Sequence, residues 1–282
     1  MEIKKNSLSR ITIGMIQSLS KKSPEEIQER FQQIKLLIVD EAHHAQADTY
    51  IDLLKKIPAI YRYGFTATPK EPKEDLGGYL KVTGILGPII HRVSVNEAKA
   101  RIIQPYLKMF SYDDPREALQ QVQDWQVAYQ EGIINNVYRN QKIANIVRYY
   151  LKRSRHILVT IKNIKHGELL QEMLGIPFVQ GKDDTKTRQE IKRALQFSSH
   201  AVISTNIFGE GVDIPALDVL INAGGGLSKI AVIQQAGRVL RRASDKDSGL
   251  IVDFWDRNNF HLRRHSKARY KQYKEVLAAV EI

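Results

Sequence analysis

Two adjacent carboxylates follow an apolar run early in the chain. Leu36-Leu-Ile-Val39 is an unbroken aliphatic run that stops on Asp40 and Glu41, with Ala42 and His43 next. Such a run predicts a strand buried on both faces of a parallel sheet. At the carboxyl end of such a strand, one acid can hold a metal ion and the other can orient a water for attack on a phosphate. The alternative is a strand that merely ends in a polar turn.

A second stretch of similar design follows at residues 61–69. It predicts another buried strand, which ends on the hydroxyls of Thr66 and Thr68. The small residues Gly64 and Ala67 allow close approach of the backbone. Hydroxyls in this position can connect the acidic pair to groups beyond the sheet, although a Thr-rich turn is the simpler interpretation.

A glycine-containing loop is predicted after the strand at residues 201–205. Gly209 and Gly211 allow the backbone to expose N–H groups to a phosphate or a ribose, and Asp213 can accept from a sugar hydroxyl or fix an arginine. A glycine-rich turn with a solvated acid remains open as the alternative.

Two arginines share one face of the helix predicted at residues 228–242. Arg238 and Arg241 are three residues apart, and Gln234 precedes Arg238 by four. Two guanidinium groups on one face suit the stabilisation of a transferring γ-phosphoryl group. A solvated basic helix end is the alternative.

Composition restricts the class of protein. The 282 residues suggest two domains, and 43 Lys and Arg against 31 Asp and Glu give a net charge of +12 that favours a polyanionic partner such as nucleic acid over diffuse solubilising charge. The chain has no cysteine, which excludes disulfides. We expect an intracellular, cytoplasmic protein, because no apolar stretch has the length of a membrane span and residues 1–5 lack the apolar core of a secretory signal.

The order of the predicted elements indicates an α/β fold. Residues 11–19 read as a short strand entering a turn, a helix begins at Ser23 and Pro24, and residues 70–88 read as a loop. From residue 157 to residue 253, strands alternate with helices, which predicts parallel pairing. Residues 257–282 read as a helical tail, basic at its start, that includes His265 and Arg269.

Together these segments resemble the superfamily-two helicases. Asp40-Glu-Ala-His43 (a DEAH box), Thr66-Ala-Thr68, residues 204–213 and residues 234–241 resemble that family's motifs II, III, V and VI in order and rough spacing. The amino-acid sequences of these motifs are most similar to those of the DNA translocases and the phage-type branch-migration helicases. The resemblance implies two RecA-like parallel-sheet domains in tandem: residues 1–100, truncated at the N-terminal side, and residues 101–256, followed by the tail 257–282.

The resemblance also implies a role for each candidate residue in an ATP-dependent helicase or translocase. Asp40 would hold Mg²⁺ and Glu41 would orient the attacking water. Gln234, Arg238 and Arg241 would complete the ATP site. His43, Thr66 and Thr68 would couple the nucleotide to the nucleic acid, and His43, Gly211 and Asp213 would lie at the cofactor. The groove for nucleic acid, with DNA favoured over RNA, would be lined by Gln17, Ser18, Thr160 and Thr205, mainly through phosphates.

One element of the family pattern is missing. The phosphate-binding loop G-x-x-x-x-G-K-[ST] should precede the acidic pair, yet the only Gly-Lys is Gly181-Lys182, which Asp183 follows. The chain is expected to be the carboxyl-terminal part of a longer helicase. The alternatives are that a separate chain supplies the loop, or that the chain is a silent nucleic-acid-binding module derived from a helicase.

Overall fold

The protein divides into two compact units, Met1–Arg92 and Val93–Ile282. A computed structural model describes residues 11–66, 69, 71–93, 103–180, 183, 201–205, 217–226, 246–275 and 277–282. Both units contain parallel strands and helices, so the predicted α/β class is confirmed. The finer domain boundaries that the resemblance implies stay predictions.

The first unit places helices on one side of a two-stranded parallel sheet. Its elements are α1 (Ile16–Leu19), α2 (Pro24–Phe31), β1 (Leu36–Val39), a 3₁₀ helix (Ala42–Gln46), α3 (Asp48–Lys56), β2 (Tyr61–Gly64) and α4 (Leu76–Leu86). The predicted start of α2 is confirmed, because Ser23 and Glu26 form a capping box and Pro24 occupies the first turn. The core of this unit includes Ile27, Phe31 and Leu53.

The prediction that β1 and β2 are buried on both faces is wrong. Val39 is buried against the helices, but Ile38 is 56% exposed and Tyr61 is 59% exposed. Successive side chains of a strand point to opposite faces, so one face of this sheet is covered and the other is open. The run of aliphatic residues therefore marks a strand whose second apolar face lacks a covering layer within the described structure.

Two further local predictions in the first unit are wrong. The strand expected at residues 11–19 is instead an extended segment followed by the single turn of α1, which buries Leu19. The loop expected at residues 70–88 contains α4, whose start is capped by the side chain of Asp75 on the amide of Gly78. Val82 and Leu86 pack on the core of the unit, and this tertiary packing outweighs the low helix propensity of the glycines.

The second unit is built on a seven-stranded parallel sheet. Its strands are β3 (Gln104–Phe110), β4 (Ile157–Thr160), β5 (Phe178–Val179), β6 (Ala201–Ser204), β7 (Val219–Asn222), β8 (Ser248–Phe254) and β9 (Val280–Glu281), in the spatial order β5-β6-β4-β7-β8-β3-β9. Its α-helices in the described ranges are α5 (Trp125–Tyr129), α6 (Val137–Leu151), α7 (Ile164–Leu174) and α8 (Phe260–Glu275). Strands β4, β6 and β7 lie where strands were predicted, and all three are buried throughout.

Helices cover both faces of this sheet. Val159 of β4 faces the cluster that includes Val147 of α6, whereas its neighbour Leu158 faces the cluster that includes Tyr273 of α8. The described residues of the tail predicted at 257–282 thus contribute to the fold of the second unit. Its helix α8 forms part of the core, and β9 pairs with β3 at the edge of the sheet.

Candidate functional site

The acidic pair lies where the sequence predicts, at the carboxyl end of β1. Glu41 adopts a left-handed conformation (φ 50°), which is uncommon for a residue with a side chain. Its amide donates to Oδ1 of Asp40 at 2.9 Å, and the amide of Ala42 donates to the carbonyl of Phe65 at 2.9 Å. The turn after β1 is thus fixed by the turn after β2, so the two strand ends hold the acids in a defined orientation.

His43 connects the acids to the second strand end. Its Nδ1 lies 2.9 Å from Oγ1 of Thr66 and 3.3 Å from Oε2 of Glu41, and the ring is 3% exposed. The predicted neighbourhood of Glu41, His43 and Thr66 is therefore present. One imidazole nitrogen therefore lies close to both the carboxylate of Glu41 and the hydroxyl of Thr66.

Glycine at position 64 permits this close approach of the two strand ends. A Cβ atom at Gly64 would lie 2.7 Å from Cβ of Ala42 and 2.8 Å from Cδ1 of Leu86. The prediction that Gly64 allows close backbone approach is confirmed. Ala67 and Thr68, which were expected to extend this site, lie outside the described residues.

A carboxylate at this site has the chemistry of a magnesium ligand. No group of three or more acidic or imidazole side chains suited to a metal occurs among the described residues. Mg²⁺ usually takes only one or two protein carboxylates and completes its shell with water and substrate phosphates. Asp40 is an exposed carboxylate at a strand end and could serve as that ligand.

The residues predicted to contact nucleic acid lie in different surroundings. Gln17 and Ser18 are exposed on α1, and Thr205 is half-buried after β6. Thr160 is 4% exposed at the end of β4, where its hydroxyl donates to the carbonyl of Ile221 at 3.4 Å. Gly211, Asp213, Gln234, Arg238 and Arg241 lie outside the described residues, so their predicted roles stay predictions.

A buried ionic network at the carboxyl edge of the second sheet was not predicted. Arg269 of α8 donates to Asp253 at 2.8 and 2.9 Å and to Asp256 at 3.1 Å, and Asp256 also accepts from Arg139 at 2.8 Å. Both arginines are fully buried. Although burial opposes a charged guanidinium, the two carboxylates more than offset this and raise the pKa of Arg269.

This network fixes the loop that follows β7. The carbonyl of Ala223 accepts from Nη1 of Arg139 at 2.6 Å, and the carbonyl of Gly226 accepts from Nη1 of Arg269 at 2.9 Å. Between them, the carbonyl of Gly224 accepts from the hydroxyl of Tyr129 at 2.8 Å. Hydrogen bonds to three carbonyl groups therefore restrain the conformation of this loop.

The sequence predicts a helical tail, basic at its start, that includes His265 and Arg269, and the structure shows that both residues are buried. His265 is 7% exposed and packs edge-on against Trp125, with ring centroids 4.5 Å apart. Burial, together with the positive charge of Arg264, lowers the pKa of His265 to about 4. One signal was available in the sequence, because Asp253 ends a predicted strand in the way that Asp40 does.

Comparison with known proteins agrees with these features. The family described as "Type III restriction enzyme, res subunit" matches residues 2–71, and "Helicase conserved C-terminal domain" matches residues 139–243. The chain is 27% identical over 288 residues to the DNA 3'-5' translocase XPB2 of Sulfurisphaera tokodaii, covering 87% of this chain and 63% of that protein. It is 22% identical over 257 residues to the ATP-dependent DNA helicase uvsW of Enterobacteria phage T4, covering 87% of this chain and 50% of that protein.

A solved structure supports the fold assignment. The chain matches S. cerevisiae Dbp5 L327V bound to RNA and ADP BeF3 with a TM-score of 0.62 and 16% identity, covering 92% of this chain and 63% of that one. The fold is therefore of the tandem RecA-like type. These family models and curated relatives confirm the resemblance to the superfamily-two helicases.

Two facts bear on the extent of this assignment. The chain spans 63% and 50% of the lengths of the two curated relatives named above. Among the helices that the structure describes, none combines the length and apolar character that crossing a bilayer requires.

Proposed function

We propose that the chain is part of an ATP-dependent DNA helicase or translocase and that it carries the catalytic acids of that enzyme. The observation that carries the proposal is the contact of His43 with both Glu41 and Thr66 at the ends of two neighbouring parallel strands. Carboxylates at this edge are suited to hydrolysis of a phosphoanhydride. The histidine gives the acids a connection to the second strand end, as coupling of hydrolysis to movement requires.

The chemistry assigns a different task to each acid. Asp40, which is exposed, would hold Mg²⁺, and the ion would neutralise charge on the nucleotide phosphates. Glu41 would orient a water and accept its proton as the water oxygen bonds to the γ-phosphorus and ADP leaves. Arg238 and Arg241, with Gln234, would stabilise the charge that develops on the transferred group. His43 would couple a change at Glu41 to the side chain of Thr66 through its contacts with both.

The open face of the first sheet supports the view that a further polypeptide segment carries the phosphate-binding loop. Leu36, Ile38 and Phe65 are 50%, 56% and 60% exposed, next to the exposed rings of Tyr61 and Tyr63. Parallel sheets are normally covered on both faces, and a contiguous apolar surface of this kind marks an interaction site. The segment would supply the missing lysine and bury these side chains, either from the same polypeptide or from a separate chain.

The net positive charge of the chain favours nucleic acid as its binding partner. The chain has a net charge of +12, and phosphate contacts would make its binding strong, salt-dependent and largely independent of sequence. DNA is favoured over RNA because the amino-acid sequences of the motifs resemble those of DNA translocases. Phosphates of a single strand would contact Gln17, Ser18, Thr160 and Thr205, whereas Gly211 and Asp213 would contact the nucleotide.

A nucleic-acid-binding module without hydrolysis is the second candidate. It is favoured by the absence of Gly-Lys-Ser/Thr from the whole sequence. ATP hydrolysis by this chain, with and without single-stranded DNA, separates the two when the loop-bearing segment is present. The helicase proposal expects DNA-stimulated turnover that Arg238→Ala abolishes while DNA binding persists. Failure of any loop-bearing segment to produce turnover would leave only the binding module.

A further inference from the structure

The outer side of α8 carries a continuous row of basic side chains. On a helix with 3.6 residues per turn, these side chains fall within one arc of about 100°. We call them the α8 stripe, which consists of Arg263, Arg264, Lys267, Lys271 and Lys274. The first four are exposed and Lys274 is half-buried. At 1.5 Å of rise per residue, the stripe is about 17 Å long.

The opposite side of α8 anchors this stripe to the sheet. Arg269 and Tyr273 are fully buried, and both donate to the carboxylate of Asp253 in β8, at 2.8 Å and 2.9 Å. Leu262 is buried on the same side of the helix. Because the backbone of α8 is fixed by these contacts, binding at the stripe needs to order only the basic side chains.

Acidic groups compensate little of the charge on the stripe. Lys271 lies 3.6 Å from Glu275, and both side chains are more than half exposed. The other four residues of the stripe form no ion pair with any residue in the described ranges. Five basic side chains against one carboxylate on a rigid surface favour a polyanionic partner.

The length and composition of the stripe fit a nucleic-acid duplex. A duplex carries one phosphate for about every 1.7 Å of its axis, so a length of about 17 Å presents about ten phosphates to the stripe. Sites for single strands instead combine positive charge with aromatic rings on which bases stack. The two tyrosines of α8 are engaged elsewhere, because Tyr270 donates to Glu281 at 2.7 Å and Tyr273 is buried.

The stripe extends away from the carboxyl edge of the second sheet. Helix α8 follows the carboxyl end of β8 and precedes β9, which lies parallel to β3, as β8 does. The helix therefore crosses one face of the sheet from its carboxyl edge towards its amino edge. A duplex on this surface would lie beside the sheet, clear of the strand ends at which the sequence places nucleotide and single-strand contacts.

We propose that the α8 stripe binds the sugar–phosphate backbone of double-stranded DNA that adjoins the single strand on which the enzyme moves. The inference rests on the proposed function, because it specifies where the duplex part of that substrate is held. Contacts to phosphates alone make this binding dependent on salt and independent of base sequence.

The test is the salt dependence of duplex binding by a double variant, Arg264→Gln with Lys267→Gln. Fluorescence anisotropy with a labelled blunt-ended duplex measures the affinity, and a labelled oligothymidylate serves as the single strand. We expect the affinity for duplex to fall at least about tenfold and the slope of log K against log salt to fall by about 1.8, twice the value of about 0.9 for one phosphate contact on B-DNA. The affinity for oligothymidylate should change less than about twofold.

Two further double variants control for charge and for folding. Lys55→Gln with Lys56→Gln removes the same charge from exposed positions on α3 and should change neither affinity nor slope. Arg264→Lys with Lys267→Arg keeps the charge of the stripe and should retain duplex binding. Glutamine has a helix propensity close to that of lysine and arginine, so the circular dichroism of the stripe variant should match that of the unsubstituted protein.

The possible results separate this surface from the proposed function. If the unsubstituted protein binds oligothymidylate and the stripe variant has the same duplex slope as the α3 variant, the inference is wrong and the proposed function stands. If the stripe variant loses duplex and oligothymidylate binding equally, the stripe holds a single strand, which overturns the assignment of duplex. If the protein ignores duplex but sediments with phosphatidylserine vesicles through the stripe, the partner is a membrane and the inference is wrong. If the unsubstituted protein binds neither nucleic acid, the proposed function fails and the inference fails with it.

Discussion

Replacement of Arg269 by alanine should strongly destabilise the second unit. Its guanidinium donates to Asp253, to Asp256 and to the carbonyl of Gly226, and the residue is fully buried. Removal of one partner from a buried ionic network leaves uncompensated charge in a medium of low polarity, and this costs about 3–5 kcal/mol. Such a loss is a large fraction of the total of about 5–15 kcal/mol that stabilises a typical domain.

Urea unfolding followed by tryptophan fluorescence measures this effect in the correct unit. The chain has two tryptophans, Trp125 and Trp255, and both belong to the second unit. The matched control is Lys271→Ala on the same helix. Its side chain is 71% exposed and, within the described ranges, pairs with Glu275, so its loss should cost less than about 0.5 kcal/mol.

A double substitution tests whether the cost comes from unpaired charge. Arg269→Met leaves the carboxylate of Asp253 without its partner, and Asp253→Asn removes that carboxylate. The double variant should therefore lose about 1–3 kcal/mol less stability than the sum of the losses of the two single variants. A free energy of unfolding for Arg269→Ala within about 1 kcal/mol of the unsubstituted protein would refute the reasoning. It would mean that the buried network contributes little to the stability of the second unit.

Two other predictions concern stability. Burial lowers the pKa of His166 to about 3, so the folded protein keeps its ring neutral, whereas the unfolded chain protonates it below about pH 6.5. Its contribution to the free energy of unfolding is therefore present above that pH and is lost towards pH 3, by at most about 1.4 kcal/mol per pH unit. Urea unfolding at a series of pH values measures this dependence. His166→Gln should flatten the dependence, whereas His261→Gln should leave it unchanged. Gly64→Ala should cost about 1–3 kcal/mol because its Cβ would meet Ala42 and Leu86, whereas Gly84→Ala, with nothing within 4 Å, should stabilise α4 by about 0.5–1 kcal/mol, as measured by thermal unfolding followed by circular dichroism. Equal effects of the two glycine substitutions, or a pH dependence that survives His166→Gln, would contradict these accounts.

Local signals in the sequence predicted elements whose causes are local. Ser23 and Pro24 predict the start of α2, and the change from Val39 to Asp40 predicts the end of β1. The contact of the acid-bearing strand end with the hydroxyl of Thr66 was also predictable, since the carboxyl ends of neighbouring parallel strands meet at one edge. These features depend on residue type over a few positions.

Features that depend on distant partners were not predictable. Arg139 and Asp256 are 117 positions apart, and nothing near Arg269 in the sequence distinguishes it from the exposed basic residues of α8. The exposure of Ile38 follows from the number of layers on the sheet, which the strand itself does not encode. Helix α4 forms because Val82 and Leu86 pack on the core, whereas its glycines alone favour a loop.

The most direct test of the central claim is ATP turnover by Glu41→Gln in the presence of single-stranded DNA and the loop-bearing segment. The substitution keeps the size of the side chain and removes the carboxylate that lies 3.3 Å from Nδ1 of His43. The account predicts a loss of turnover of at least about 10²-fold with binding of ATP and DNA retained, as for a general base, and no change for Glu29→Gln on the exposed face of α2. Turnover of Glu41→Gln equal to that of the unsubstituted protein would contradict the assignment of the acidic pair as the hydrolytic centre.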